Sequence, residues 1–326
     1  MASDSPPRRV TSADVARVAG VSRTTVSFVL NGEDRRISTE TRARVLAVAD
    51  ELGFVPFAPA RLLRGAASRL VLVITPELAG APHEVGARIV SRLGERLAAD
   101  GLDVIWQFGR AAARAALDLT PCVVLASPDE SDPAFFALAK KFDVPVLPMF
   151  PGVTDFVGSA GGAQATYLLE QGHRALAFAA PDDPALREAS DIRELAVREA
   201  VGSRGIGAVQ RLTMSASRDN GAVALDDLLT RHPEVTGICA FDDQVALQVL
   251  AAAHDLRMDV PGRIAVIGVD DLPAASFAIP ALTTVATAID EFVEDLAKLV
   301  RARIEGSVGP VVRLPLTPHI VRRNSA

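Results

Sequence analysis

The sequence predicts an N-terminal all-α helix-turn-helix head followed by an α/β core of two doubly wound parallel-sheet lobes. Three observations carry this. The first 55 residues break into short amphipathic helices with clear start and stop signals. From Arg69 onward, apolar strand-like runs alternate with helical stretches. A chain of 326 residues also exceeds the roughly 100–200 of one domain.

In the head, Thr11 is placed to cap a helix, and Asp14 completes a capping-box pattern. Val15, Ala16 and Ala19 recur on one face before Gly20 supplies a left-handed stop. Ser22 then caps a second helix reaching Leu30, with Val26 and Val29 inward and Asn31-Gly32 as its turn signal. Ser38 caps a third, with Glu40 in its positive first turn; Val45, Leu46, Ala49 and Leu52 form the apolar stripe and Gly53 closes it. The tight Gly20-Val21 junction gives the helix-turn-helix layout. Two prolines and a glycine then bracket the short stretch Ala60 to Arg64, which alone in water would be mostly unfolded.

The core predicts strands in LVLVIT (70–75), LDVIWQF (102–108), CVVLAS (122–127), VPVLPMF (144–150), ALAFAA (175–180), GAVQRL (207–212), GICAFD (237–242) and RIAVIGVDD (263–271). Glu84 to Asp100, Gln164 to Gln171, Asn220 to His232 and Asp243 to Leu256 read as amphipathic helices between them. Near-continuous apolar strands separated by helices imply parallel sheets covered on both faces. Eight such runs exceed one comfortable sheet, hence two lobes, with ligands expected at the carboxyl ends of strands and in the cleft between lobes.

Composition narrows the function classes. Hydrophobic residues make up 49% and charged residues 23%, which excludes a disordered chain. No apolar run approaches the ~20 residues of a membrane span, and Met1 to Arg9 lacks the apolar segment of a secretory signal. Cys122 and Cys239 sit in apolar runs and read as buried thiols, so a cytoplasmic protein is expected. Residues 1–69 carry a net +4 and the rest −10, a basic head on an acidic body that directs an anionic polymer to the head.

Chemistry-bearing motifs fail on inspection. The run FVGSAGGAQATYLLEQG looks like a strand, a glycine loop and a helix, but Gly158, Gly161 and Gly162 miss the dinucleotide-binding spacing. His83-Glu84 begins like a zinc-protease motif, yet Ala87 stands where the second histidine is needed. There is no nucleophile elbow and no phosphate-binding loop. His173 and Trp106 read as structural. No cofactor, metal or catalytic residue is expected, and the chain reads as no enzyme.

The segments DVARVAGVSRTTVSFVLNG and STETRARVLAVADELGF resemble the LacI/GalR family of bacterial transcription regulators. The resemblance continues through APARLLRG, LLEQGHRALAFAA, FDDQVALQVLAAA and RIAVIGVDDLPAASFAIPALTTV, covering nearly the whole chain in family order. It implies a DNA-binding head at 1–55, a hinge helix at 56–68, and an effector-binding, dimerising core at 69–326 like the periplasmic sugar-binding proteins. Lobe 1 would hold about 69–156 and 289–314, and lobe 2 about 157–288 and 315–326. The implied function is a repressor that binds a palindromic double-stranded DNA operator as a homodimer, its affinity set by a small, sugar-like ligand. No leucine heptad follows LPLTPHIV, so a dimer is expected rather than a tetramer.

The amino end of the second helix would enter the major groove. Arg23 and Thr24 stand there to read base edges, while Thr11, Ser22, Thr25, Ser27 and Asn31 suit positioning contacts. Phe28 either meets a thymine methyl or packs toward the hinge. In the hinge, Arg61 and Leu63 fall where the family enters the minor groove, Leu63 as the wedge. The effector set implied by position is His83, in the first-lobe loop, with Ser159, Arg193, Asp242 and Asp270. Asp242 stands in place of the family's asparagine. Ser159 replaces its acid and the first-lobe loop LAGAPHEVG lacks its Asn-Pro-Phe, so an effector-independent or partner-regulated protein stays open beside the sugar-responsive one. A solute receptor or enzyme with an incidental helical head is the remaining class.

Overall fold

The fold begins with a capping box. In the computed structural model, which describes residues 10–30, 37–54, 68–75, 83–108, 121–126, 145–149, 153–215, 217–307 and 317–326, Thr11 and Asp14 bond reciprocally at the start of α1 (Ser12–Ala19). Gly20 ends it at φ 66°, a left-handed value that glycine adopts without a Cβ penalty. Ser22 accepts the Thr25 amide at 3.0 Å ahead of α2 (Arg23–Leu30), and Ser38 caps α3 (Thr39–Glu51). Val15, Ala16, Ala19, Val26, Val29, Val45 and Ala49 close a small core. Leu46 corrects the expected stripe: it is 48% exposed, because at 100° per residue it turns away from the Val45–Ala49 face.

The chain divides into two units, Met1–Ser68 and Arg69–Ala326. In the second, β1 (Leu70–Thr75), β2 (Asp103–Phe108), β3 (Val123–Ala126) and β4 (Val146–Pro148) form a parallel sheet in the order β2-β1-β3-β4. Helix α4 (His83–Ala98) packs on β2, and α10 (Ile289–Ile304) packs on α4 and β3. The second sheet is built by a long excursion between β4 and α10, with its last strand added after α10. It contains β5 (Leu176–Pro181), β6 (Gln210–Met214), β7 (Gly237–Ala240), β8 (Ala265–Val269), β9 (Thr283–Thr287) and β10 (Pro318–Val321), ordered β10-β9-β8-β7-β5-β6. Its helices are α5 (Val153–Glu170), α6 (Arg187–Gly202), α7 (Arg218–Arg231), α8 (Asp243–Asp255) and the short α9 (Pro273–Phe277).

All eight expected runs hold strands. Two differences are informative. Strand β9, TTVAT, was not among them, since two buried threonines break the continuous apolar pattern. Strand β10 is antiparallel to β9, making the second sheet mixed at that edge. In each sheet the strand order reverses beside the first strand, between β1 and β3 and between β5 and β7. Such a switch point opens a crevice at the carboxyl ends of the strands.

The glycine-rich segment is corrected as well. It is neither strand nor loop but part of one continuous helix, α5. A Cβ on Gly161 would lie 2.4 Å from the carbonyl oxygen of Arg193 on α6. Glycine there lets two helix backbones approach more closely than any side chain permits, and this brings Arg193 to the sheet.

Candidate nucleic-acid interface and ligand site

In the head, the exposed amino end of α2 is where chemistry concentrates. Arg23 and Thr24 are exposed, while Val26 and Val29 beneath them are fully buried and fix the helix in place. The Ser22 hydroxyl also lies 2.8 Å from that of Thr25, so both are held at the helix start. No acid occupies the first turn of α2, leaving its positive end and Arg23 uncompensated from within the helix. That surface suits anions. Ser27 and Phe28 are half-buried one turn on. The Thr11 hydroxyl donates to Asp14 at 2.7 Å, so capping is its role in the fold. The Arg44 guanidinium ties α3 to the end of α1 through the Ala19 carbonyl at 3.1 Å. Asn31, Arg61 and Leu63 lie outside the described residues.

In the core, three of the expected residues come together. Arg193, 4% exposed, donates from Nη1 to the Phe241 carbonyl just past β7 and from Nε to the Val157 carbonyl at 3.3 Å. Its guanidinium also lies 4.7 Å from the centre of the Phe241 ring, a cation–π contact. Burial lowers its pKa, opposed by the negative charges of Asp270 and Asp242, so all three share one electrostatic neighbourhood. Asp242 caps α8 by accepting the Val245 amide at 2.7 Å. Asp270, 7% exposed, ends β8 with φ 104°, and Asp271 follows at φ 49°. Consecutive non-glycine residues with positive φ are strained, and the surroundings must hold them there.

Ser159 is exposed on α5, two residues beyond Val157. His83 is not in a loop, as expected, but is the first residue of α4. The expected structural residues tie neighbouring elements together: Trp106 Nε1 donates to Thr75 Oγ1 at 3.0 Å, and His173 Nδ1 lies 2.9 Å from Thr236 Oγ1. Cys239 is buried and Cys122 half-buried, and burial raises both thiol pKa values. Among the described residues no group of three His, Cys, Asp or Glu is placed to hold a metal.

Two residues that hold this site were not singled out in the sequence. Gln164 on α5 is fully buried, and its Nε2 lies 2.8, 3.0 and 3.1 Å from the carbonyls of Ala240, Ile267 and Gly268. It joins the carboxyl ends of β7 and β8. Asp243 is fully buried, accepting the Leu272 amide at 2.7 Å and the Thr284 hydroxyl at 2.5 Å. Burial pushes its carboxyl up to about 7, against the downward pull of those two bonds and with a further push from Asp270 and Asp242. Only a pattern of long-range pairing could have marked either one.

No helix among the described residues is long and apolar enough to cross a membrane. Residues 11–56 match the model for bacterial regulatory proteins of the lacI family, and residues 165–326 match a periplasmic binding protein-like domain. The chain is 31% identical to the HTH-type transcriptional regulator CelR of Thermobifida fusca, over 98% of both chains. It is 28% identical to the ribose operon repressor of Escherichia coli K12, over 97% of this chain and 99% of that one. Among solved structures, a CelR–cellobiose complex aligns with TM-score 0.63 at 27% identity, covering 98% of this chain and all of that one. A lac repressor dimer bound to operator and an anti-inducer has TM-score 0.73 at 24% identity, covering 98% and 99%, and shares the fold. With a helix-turn-helix head, two α/β lobes and similarity along its whole length, the chain belongs to the lacI family of bacterial DNA-binding transcription regulators.

Proposed function

We propose that this regulator is a cytoplasmic repressor, without enzymatic activity, that binds an inverted-repeat operator as a homodimer. Arg23 and Thr24 read base edges in the major groove; Thr11, Ser22, Thr25, Ser27 and Asn31 set the position on the backbone, and Phe28 lies beside them. Residues 1–55 are the reading head, 56–68 the hinge with Arg61 and Leu63 in the minor groove, and 69–326 the regulatory core, divided into lobes at the limits given above. The exposed positive end of α2, with Arg23 on a rigidly seated helix, is the observation that carries this reading. Phe277 and Ile279, 83% and 91% exposed, give the core an apolar surface that a second copy would cover.

A small polar ligand, sugar-like in its hydroxyls, binds between the lobes against Arg193, Asp242 and Asp270, with Ser159 and His83 at the margins. Carboxylates and a guanidinium each bond two donors or acceptors at once, which suits vicinal hydroxyls. The relatives support this: one is named for the ribose operon, and another was solved with cellobiose. A second reading, regulation without a small ligand, is favoured by one observation: Arg193 spends two of its nitrogens on backbone carbonyls.

The test is an operator selected from the host genome, with binding measured for the native protein and Arg23→Ala. The operator should lose about 1–3 kcal/mol of binding while random duplex loses little. Equal loss on both would reject the base-reading role. Isothermal titration with cellobiose and with ribose separates the two readings of the core: heat that vanishes in Asp270→Asn supports the ligand reading, and none with either sugar favours the second.

A further inference from the structure

The turn after β8 carries the candidate ligand carboxylate of Asp270, and it is gripped from three directions. From beneath, Asp243 on α8 accepts the Leu272 amide at 2.7 Å. From the side, Arg323, beyond β10, donates to Asp271 Oδ1 at 2.6 Å and to the Leu282 carbonyl at 2.8 Å. The third grip comes from the other sheet's helices. Arg88 on α4 directs Nη1 to the carbonyls of Asp270 at 3.3 Å and Asp271 at 3.4 Å, across 182 and 183 residues of sequence.

The first two grips lie within one lobe and move with it. The third joins the lobes. Helix α4 is anchored to the first sheet by Ile89, Leu93 and Leu97, all essentially buried, so Arg88 reports the position of that lobe. The carbonyls it meets belong to residues at φ 104° and φ 49°, and their orientation is set by this strained backbone. If the turn relaxes, or the lobes shift, the two long bonds are lost together. Hydrogen bonds this long are weak, and the one to Asp271 is exposed, which suits a contact that must open as well as close.

We propose that Arg88 is an interlobe latch: it positions the Asp270–Leu272 turn from the opposite lobe and thereby couples the state of the candidate ligand site to the arrangement of the two lobes. The latch itself needs only the geometry above; its regulatory consequence rests on the proposed ligand-controlled repression.

The experiment compares the full-length native protein with Arg88→Ala, Arg88→Lys and, as a control on the same helix, Arg92→Ala. Amide hydrogen exchange is read at Asp271 and Leu272. Spin labels at Glu95→Cys and Ala274→Cys, with the two native cysteines changed to serine, report the distance between lobes. Arg88→Ala should exchange severalfold faster at the turn and broaden the distance distribution. Arg88→Lys should recover part of both, and Arg92→Ala should match the native protein. Unchanged exchange and distance in Arg88→Ala would overturn the latch, whatever the fate of the ligand reading. Faster exchange with unaltered binding to the selected operator would leave the latch standing and count against the control of repression by lobe arrangement.

Discussion

The head and the floor of the ligand site are held in opposite ways. Each cap in the head joins residues three apart: Thr11 with Asp14, Ser22 with Thr25, Ser38 with Thr41. At the site, Asp243 bonds Leu272 and Thr284, 29 and 41 residues away, and Gln164 reaches strand ends 76 to 104 residues away. Local bonds seat a small reading surface that stays exposed. Long-range bonds bury charge and hold a strained turn. Substitutions should therefore cost far more in the second region than in the first.

The largest effect is expected at Asp243. Asp243→Leu leaves the Leu272 amide and Thr284 hydroxyl buried without an acceptor, and should lower the stability of the core by about 3 kcal/mol in urea denaturation. The same carboxyl predicts a pH dependence. Its pKa is raised from 3.8 to about 7, so the folded state binds a proton that the unfolded chain has released. Its contribution is fully present below about pH 4 and is lost as pH rises through about 7. The urea midpoint should fall between pH 5 and pH 8, and Asp243→Asn should flatten that change. A slope that persists in Asp243→Asn would place the titration elsewhere.

Gly161→Ala comes next. Its new Cβ meets the Arg193 carbonyl at 2.4 Å, so α5 and α6 must separate, at about 1–3 kcal/mol. Circular dichroism melts should show the loss, and a native melting temperature would refute the close-packing account. The smallest effect belongs to the head: Thr11→Ala removes one exposed cap and should cost about 1 kcal/mol. A larger loss there than at Asp243 would break the contrast between the regions.

The same contrast explains what the sequence disclosed. The helix-turn-helix and its caps were legible because every signal lies within a few residues of its effect. Eight strands were legible from their apolar runs. Strand β9 was hidden because Thr283 and Thr284 are buried polar residues bonded to Ser325 and Asp243, partners no local pattern reveals. The glycines around Gly161 suggest a loop because nothing local shows the Arg193 backbone pressing against that residue. Asp242 and Asp270 are named by the family resemblance, whereas Asp243, one residue from the first, carries its role entirely through distant partners.

The claim on which the account turns is that Arg23 touches a base. A double-mutant cycle tests it most directly: native protein and Arg23→Ala, each titrated against the selected operator and against duplexes changed at one base pair per half-site. At one guanine position the two losses should fail to add, with a coupling of about 1–3 kcal/mol. Strict additivity at every position would contradict it and leave Arg23 a backbone contact.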